Sequence, residues 1–317
     1  MFEKSSAMRD SLLKEIYNEL NTNDKIILLS ADFGAPILDR IRKDFPDNFI
    51  NVGIAEQNLV NIAAGFALEG YKVYAYAISA FLTMRAYEQI RTNISLMSQL
   101  KTMNVNLVGV GTGISYVLSG PTHHCLEDIT SMRLLPHLKI FSPSDSILTQ
   151  KFFKYSLNEN SPKYIRFDSK ILPDIYKPED DIKIENGFCE LIKGNGVCIL
   201  STGYMTQKAV EVVNDLKKEN IDTGVIDMFL LSGFNEGLLS ETIKKYKCII
   251  SLEESFVNRG GLDSIASNII DDNKFEIKLI RLGFKDRFVF ENGDREYLHS
   301  LQGLDIESLK KIIKSNI

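Results

Sequence analysis

Short apolar runs alternate with amphipathic stretches along the first half of this chain. Helical spacing of apolar residues marks four stretches, which predict helices over residues 8–20, 55–68, 82–100 and 144–156. Between these helices, compact apolar runs are typical of buried strands. The strand runs are KIILLSA (25–31), KVYAYAI (72–78), NVNLVGV (104–110), LKIFS (138–142) and KYIRF (163–167).

Strands that alternate with helices predict a parallel sheet with helices on both faces. Ligands of such sheets bind beyond the carboxyl ends of the strands. We therefore expect functional residues in the loops that follow positions 31, 78, 110 and 142.

The pattern changes near residues 170–186, where prolines and an acidic cluster indicate an interdomain linker. A second series follows, with strand runs VCILST (197–202), TGVIDM (223–228), CIISLEE (248–254) and FEIKLIRLG (275–283). The sequence thus predicts an α/β fold of two successive domains, residues 1–175 and 186–317. Each domain is expected to be a largely parallel sheet covered by helices.

Composition narrows the class of partner. The formal net charge is -5, so the chain has no basic excess with which to neutralise nucleic-acid phosphates. Its four cysteines are far apart and lack metal-ligand spacing, which is typical of reduced cysteines in a cytoplasmic protein. No apolar run approaches the ~18 residues that suggest a membrane span. We expect a cytoplasmic protein that binds neither nucleic acid nor a membrane.

Two motifs contain candidate site residues, and the second directly follows a predicted strand. NVGIAEQN (51–58) places Glu56 at the start of a helix rich in alanine and glycine. An acidic residue in a first helical turn is commonly just a favourable partner of the helix dipole. SAFLTMRAYEQIR (79–91) contains Phe81, Arg85 and Tyr87, which alone would suggest core aromatics and a surface cation.

A third motif, SGPTHH (119–124), combines a tight Gly-Pro turn with two adjacent imidazoles that could transfer protons or bind an anion. Neighbouring histidines point in different directions, and no third ligand has helpful spacing. We therefore predict no metal site in this chain.

In this order, and together with LPHLKIFSPSD (135–145), these motifs resemble the transketolase and 1-deoxyxylulose-5-phosphate synthase group of thiamine diphosphate enzymes. EESFVNRGGLDS (253–264) and RLGFKDRF (281–288) extend the resemblance more weakly. It implies a thiamine diphosphate-binding fold of the pyrimidine type, followed by a transketolase C-terminal-like domain.

The resemblance also implies roles for cofactor-binding residues. Glu56 matches the catalytic glutamate that hydrogen-bonds the aminopyrimidine ring of thiamine diphosphate, where a positioned carboxyl group can exchange a proton. Phe81 matches the aromatic residue on which that ring stacks. Arg85 and Tyr87 are expected to line the same pocket, and Asp32 corresponds to an acidic position near the thiazolium side.

Three further residues are implied to contact the substrate. His123, in the Gly-Pro-Thr-His turn, matches a catalytic residue that contacts substrate oxygens or shuttles protons, and His124 lies beside it. Arg166, at a strand end, corresponds to an arginine that binds the substrate phosphate, because a planar fork of donors suits that anion.

The sequence departs from the family pattern before the Gly-Pro-Thr-His turn. Many transketolases have a histidine and an acidic residue that recognise sugar hydroxyls, and here these positions are Gly111 and Ser119. The resemblance therefore implies intact cofactor activation but altered sugar recognition.

A second departure concerns the Gly-Asp-Gly motif and downstream asparagine with which the family holds diphosphate and Mg²⁺. No Gly-Asp-Gly occurs here, and the nearest sequence, Asn292-Gly293-Asp294, lies in the second domain. We therefore expect a separate N-terminal transketolase subunit to supply that motif, in an α2β2 heterotetramer that acts on a sugar substrate.

The main hypothesis is thus a transferase that moves a two-carbon ketol unit from a ketose, expected to be phosphorylated, to an aldehyde. One alternative is the β-subunit of a decarboxylating enzyme, either a 2-oxoacid dehydrogenase or a deoxyxylulose phosphate synthase-like protein. The other is a non-catalytic subunit with the same fold.

Overall fold

The computed structural model describes residues 6–317, and these residues fold around two β-sheets flanked by helices. The strands are β1 (Ile26–Ser30), β2 (Phe49–Asn51), β3 (Lys72–Ile78), β4 (Asn104–Val110), β5 (Lys139–Phe141), β6 (Lys163–Phe167), β7 (Phe188–Ile192), β8 (Val197–Ser201), β9 (Thr223–Met228), β10 (Leu230–Ser232), β11 (Cys248–Phe256) and β12 (Lys278–Phe284).

Helices separate most of these strands, although β7 follows β6, β8 follows β7 and β10 follows β9 without an intervening α-helix. The helices are α1 (Met8–Leu20), α2 (Pro36–Asp44), α3 (Glu56–Leu68), α4 (Ser79–Arg85), α5 (Tyr87–Gln89), α6 (Asp128–Arg133), α7 (Ser146–Asn158), α8 (Tyr204–Lys218), α9 (Glu236–Ile243), α10 (Leu262–Asp272), α11 (Arg295–Ser300) and α12 (Ile306–Lys314).

The first sheet has seven strands in the order β10-β5-β6-β4-β3-β1-β2. Its strands pair in parallel, except that β10 lies antiparallel to β5. The second sheet has the order β12-β11-β8-β9-β7, and its one antiparallel pair is β7 with β9. The prediction of two largely parallel sheets covered by helices is therefore confirmed.

Strand β3 shows how the first sheet is covered on both faces. Val73, Ala75 and Ala77 belong to one hydrophobic cluster, which includes residues of α3. Tyr74 and Tyr76 belong to a second cluster, which includes residues of α1 and α7. Since successive side chains of a strand point to opposite faces, this alternation places a helical layer on each side of the sheet.

The prediction of one continuous helix over residues 82–100 was wrong in detail. Helix α4 begins at Ser79 and is interrupted at Ala86, and a π-helix follows over Ile90–Leu96. The Thr83 hydroxyl donates to the carbonyl oxygen of Ser79, four residues earlier, a bond that commonly bends helices. The early start places Phe81 in the first turn after β3.

The two halves of the chain are joined by more than the linker. Strand β10 belongs in sequence to the second half but extends the first sheet through its pairing with β5. Arg295 of α11 forms an ion pair with the buried Asp168, which follows β6, at 2.6 Å. Within residues 6–317, no helix is both long and apolar enough to cross a membrane.

Candidate active site

The loops beyond the carboxyl ends of β2 and β3 bring a buried carboxylate and a guanidinium together. Glu56 opens α3 and is only 2% exposed. Arg85, the last residue of α4, donates from Nη1 to Glu56 Oε2 at 2.6 Å. The Arg85 side chain remains about half exposed, at 47%. The pair therefore lies at the boundary between the protein interior and solvent.

Phe81 and His123 extend this cleft. The guanidinium of Arg85 lies over the Phe81 ring, 5.0 Å from its centroid. The imidazole of His123 meets the same ring edge to face, with centroids 5.1 Å apart. His123 Nδ1 is 3.0 Å from the Thr122 hydroxyl oxygen, which orients the imidazole. The structure thus brings Glu56, Phe81, Arg85 and His123 together.

Asp32 is tied to the loop that leads to Glu56. Its backbone adopts a left-handed conformation with φ of 53°, and its carboxylate accepts a 2.8 Å hydrogen bond from the Asn51 side-chain amide. The carbonyl oxygen of that amide accepts from the backbone N–H groups of Asp32 and Gly53. Sequence reasoning did not identify Asn51, although an asparagine at the end of a strand is a recognised loop-forming signal.

Tyr116 is a second residue that sequence reasoning missed. A β-carbon on Gly111 would lie 1.9 Å from Tyr116 Cε2, and Gly111 has a φ of 92°, so Tyr116 packs where only glycine fits. The Tyr116 ring is also 6.4 Å from the His123 ring, measured between centroids. The signal in the sequence was the glycine at the end of β4.

His124 lies outside the open cleft. It is buried, and within the part of the chain that the structure describes neither ring nitrogen has a hydrogen-bond partner. Burial lowers the pKa of His124, while the charge of nearby Glu254 acts in the opposite direction. The structure therefore favours a neutral imidazole, and its contact with substrate stays a prediction.

The Arg166 guanidinium forms its hydrogen bonds inside the protein. Its Nε and Nη2 donate to the two carboxylate oxygens of Asp128, at 2.7 and 3.1 Å, and its Nη1 donates to the Ser142 hydroxyl at 2.9 Å. Both Arg166 and Asp128 are buried. The structure does not bring Arg166 to the cleft surface, and its role in phosphate binding stays a prediction.

Tyr87 also has an internal partner. Its hydroxyl group donates to the backbone carbonyl oxygen of Ser131 in α6, at 3.2 Å. Its ring packs against the hydrophobic cluster that includes α3. These contacts fix α5 on α6, and the predicted contact of Tyr87 with a cofactor remains untested.

The cleft fits the aminopyrimidine end of thiamine diphosphate. A carboxylate accepts several hydrogen bonds, so the pair with Arg85 leaves acceptor capacity on Glu56 for a ring amino group or nitrogen. Phe81 supplies an aromatic ring beside it, suited to an offset contact with a heterocycle. Within residues 6–317, no group of three histidine, cysteine or acidic side chains is placed to hold a metal ion.

These features define a two-domain α/β chain with a carboxylate, an aromatic ring and an imidazole at the carboxyl edge of its first sheet. Residues 4–174 match the pyrimidine binding domain of transketolase, and residues 190–309 match the transketolase C-terminal domain. The chain belongs to the transketolase family, whose domains use thiamine diphosphate.

Among its relatives, a subunit of the apulose-4-phosphate transketolase of Actinobacillus succinogenes is 33% identical over 268 residues, 84% of each chain. The 6-deoxy-6-sulfo-D-fructose transketolase subunit SqwH of Clostridium sp. strain MSTE9 is 28% identical and covers 97% of this chain and 92% of its own length. A solved split gene transketolase, described as an inactive beta4 tetramer, superposes with a TM-score of 0.86 at 29% identity, covering 98% of both chains.

This chain thus resembles separate subunits of transketolases along nearly their whole length. The family resemblance predicted from the motifs is confirmed, and so is the expectation of a split, transketolase-like transferase that works with a partner subunit.

Proposed function

We propose that this chain is the pyrimidine-binding, C-terminal subunit of a heteromeric transketolase that transfers a two-carbon ketol unit. The bond between C2 and C3 of a ketose breaks, and C2 forms a new bond to the carbonyl carbon of an aldehyde. One ketose and one aldehyde give another ketose and another aldehyde, so the reaction requires no oxidant or reductant. When bound, thiamine diphosphate supplies the carbon nucleophile for this exchange.

The observation that carries the proposal is the meeting of Glu56, Phe81, Arg85 and His123 in one cleft of a transketolase-family chain. Glu56 would hold the aminopyrimidine ring and exchange a proton with it. Phe81 would cover that ring and exclude water. Arg85 would keep the Glu56 carboxylate oriented until the ring binds.

We propose that His123 contacts the substrate. Its imidazole lies against Phe81 and beside Tyr116, so it borders both the cofactor cleft and the loop over residues 111–119. A neutral imidazole can both donate and accept a hydrogen bond, which suits the hydroxyl and carbonyl oxygens of a sugar. It would move a proton to or from the substrate oxygen when the carbon–carbon bond breaks or forms.

We propose that a partner subunit with a Gly-Asp-Gly motif binds the diphosphate and Mg²⁺ in an α2β2 assembly. Two observations on relatives support a separate partner. Several are named as transketolase subunits, and the split gene transketolase with beta chains alone is described as inactive. The names of two relatives specify sugars with a phosphate or sulfo group, which supports an anionic sugar as the substrate.

The test is thiamine diphosphate binding by calorimetry in the presence of Mg²⁺, with this chain alone and co-purified with its candidate partner. The same complex is assayed for ketol transfer from erythrulose to glyceraldehyde. Glu56→Gln keeps the shape of the side chain but removes the carboxylate, and we expect it to lower the transfer rate by at least ~100-fold. Glu69→Gln, at the exposed end of the same helix, is the matched control and should leave the rate unchanged.

Binding and transfer by the complex alone, with loss of transfer in Glu56→Gln, would support the proposal. Tight binding by the isolated chain would contradict the shared site. A fully active Glu56→Gln complex, or no binding in either preparation, would contradict the assignment of the cleft. Release of CO₂ from a 2-oxoacid without ketol transfer would instead favour the decarboxylating class of enzyme.

A further inference from the structure

We infer that Tyr116 is a substrate-binding residue, whose hydroxyl group binds the sugar hydroxyl group next to the reacting carbonyl carbon; this inference rests on the proposed function. Position 111, where many transketolases have a sugar-binding histidine, is glycine in this chain. The ring of Tyr116 packs against Gly111 and occupies the space that even a β-carbon there would need. A phenol from the following loop thus lies where the family pattern has an imidazole.

The loop that carries Tyr116 is held in place by the residues around it. The backbone N–H of Ile114 donates to Glu254 Oε2 at 3.3 Å, which ties the loop to the second half of the chain. The Ser169 hydroxyl donates to the backbone carbonyl oxygen of Ser115 at 3.2 Å, which ties it to the segment after β6. Tyr116 is therefore presented at a fixed position, as a binding site requires.

The Tyr116 hydroxyl group is available to a ligand. Among residues 6–317 it has no hydrogen-bond partner, and the residue is only partly buried. Burial raises the pKa of Tyr116, although the charge of Arg9 acts in the opposite direction. The hydroxyl group therefore keeps its proton at neutral pH, and it can both donate and accept a hydrogen bond. A sugar hydroxyl group is a matching partner, because it too can donate and accept.

Tyr116 also lies next to the residue that is proposed to contact the reacting carbonyl oxygen. Its ring is edge to face with the His123 ring, 6.4 Å between centroids. His123 in turn contacts Phe81, on which the aminopyrimidine ring is proposed to stack. Oxygen atoms on adjacent carbons of a sugar are close neighbours. A sugar whose carbonyl oxygen contacts His123 therefore presents the hydroxyl group of its next carbon to Tyr116.

A cavity beside Tyr116 can hold the rest of the sugar. It has a volume of about 550 Å³, within the ~300–1,000 Å³ typical of small-molecule sites. It lies between residues 115–119 and residues 293–295, and its lining includes Ser119 and the exposed Lys170. The hydroxyl group and the ammonium group of these side chains suit the polar, anionic remainder of the proposed substrate.

The first test compares ribose 5-phosphate with 2-deoxyribose 5-phosphate, which differ only in the hydroxyl group at C2, next to the aldehyde carbon. Binding is measured by ligand-observed NMR titration of the full chain, alone and with its partner, without thiamine diphosphate, so that no turnover occurs. We expect ribose 5-phosphate to bind about 10-fold more tightly, because the deoxy sugar leaves the Tyr116 hydroxyl group without its partner.

Tyr116→Phe removes this hydroxyl group and keeps the ring beside His123. It should weaken the binding of ribose 5-phosphate about 10-fold without weakening that of 2-deoxyribose 5-phosphate, so that the affinity ratio falls close to one. A purely structural effect would weaken the binding of both sugars equally. Tyr17→Phe is the matched control, since it removes a phenol hydroxyl group that donates to Asp44 at the end of α2, and it should keep the wild-type ratio.

The same ratio is then measured as kcat/KM for ketol transfer from erythrulose to each sugar by the assembled complex. A preference for ribose 5-phosphate that Tyr116→Phe abolishes would support the inference. No preference in either preparation of the wild type, or an unchanged ratio in Tyr116→Phe, would overturn it. Ketol transfer without this preference would overturn the inference alone, whereas the preference in binding without any ketol transfer would overturn only the proposed function.

Discussion

Glu56, Asp128 and Glu254 are buried acidic side chains that each pair with an arginine, but the pairs differ in how exposed the arginine is. Asp128 and Arg166 are both buried, and Glu254 is buried beside Arg295, whose side chain is only 11% exposed. Glu56 is equally buried, yet its partner Arg85 is about half exposed. An exposed guanidinium loses little free energy when it turns from its partner towards water. A ligand can therefore replace Arg85 as the hydrogen-bond donor to Glu56.

The pair of Asp128 and Arg166 supports a prediction about stability. Asp128 accepts hydrogen bonds from two nitrogens of Arg166 and from the Tyr164 hydroxyl, at 2.7–3.1 Å. Asp128→Asn leaves the Arg166 charge buried without a counter-charge, which should cost about 3–5 kcal/mol of unfolding free energy. Chemical denaturation of the purified chain measures this loss.

The double variant Asp128→Asn with Arg166→Met is the control, because it removes both charges and should recover part of the lost stability. A loss below about 1 kcal/mol in Asp128→Asn would contradict a structural ion pair. Arg166→Lys separates the two roles of the arginine. If Arg166 bound the substrate phosphate, this change would raise KM for phosphorylated sugars and leave the unfolding free energy nearly unchanged.

At the scale of elements, apolar periodicity predicted the inner strands of both sheets and several of the helices that cover them. It missed β2, β7 and β10, which lie at the edges of their sheets. Strands β2 and β10 are only three residues long, and β7 is mostly half-buried, so none of them gives a compact apolar run. It also joined α4 to the segment after it, since an interrupted helix keeps nearly helical apolar spacing. The motifs located Glu56, Phe81 and His123, which lie in the segments that follow β2, β3 and β4.

Asn51 and Tyr116 could not be predicted from spacing. Asn51 acts through contacts with Asp32, which is 19 residues away in sequence. The Tyr116 ring packs into the space that a β-carbon on Gly111 would need, and it lies beside the His123 ring. Only the folded loop brings these three residues together. The chemistry of the site was therefore visible in the sequence, while the side chains that shape it were not.

The loops after β1 and β2 share the Asn51 amide, which supports a prediction at this scale. Three hydrogen bonds connect it to Asp32 and Gly53, three residues before Glu56. Asn51→Ala removes all three, and since each contributes about 0.5–1.5 kcal/mol, we expect thiamine diphosphate to bind the assembled complex at least about 10-fold more weakly.

Calorimetric titration of the complex with thiamine diphosphate and Mg²⁺ measures this change. Asn23→Ala, in the turn before β1 at the opposite end of the strand, is the control and should leave the affinity unchanged. Unchanged affinity in Asn51→Ala would mean that the two loops hold their positions without the shared amide.

For the whole molecule, the important contacts are those that join its two halves. Asp227 in β9 is fully buried and accepts hydrogen bonds from Ser144 of the first half, Tyr176 of the linker and Thr206 of α8, at 2.6–2.9 Å. One carboxyl group thus connects three parts of the chain. The relative position of the two halves therefore depends on a group that titrates.

Asp227 makes that connection sensitive to pH. Burial raises the pKa of Asp227 from 3.8 to about 7, and the three hydrogen bonds only partly oppose this effect. The folded chain therefore holds the Asp227 proton more tightly than the unfolded chain does. The resulting stabilisation is complete below pH 3.8 and is lost as the pH rises through 7.

We predict that Asp227→Asn, which has no proton to lose, changes the slope of stability against pH. The unfolding free energy of the wild type minus that of Asp227→Asn should fall by about 2–3 kcal/mol between pH 5 and pH 8, measured by denaturant titration. Other titrating groups cancel in this difference, because both proteins contain them. Asp222→Asn, an exposed aspartate five residues earlier, should give a difference that does not depend on pH. A difference for Asp227→Asn that rises with pH would mean that the three hydrogen bonds outweigh burial, so that the halves are joined by an ionised carboxylate.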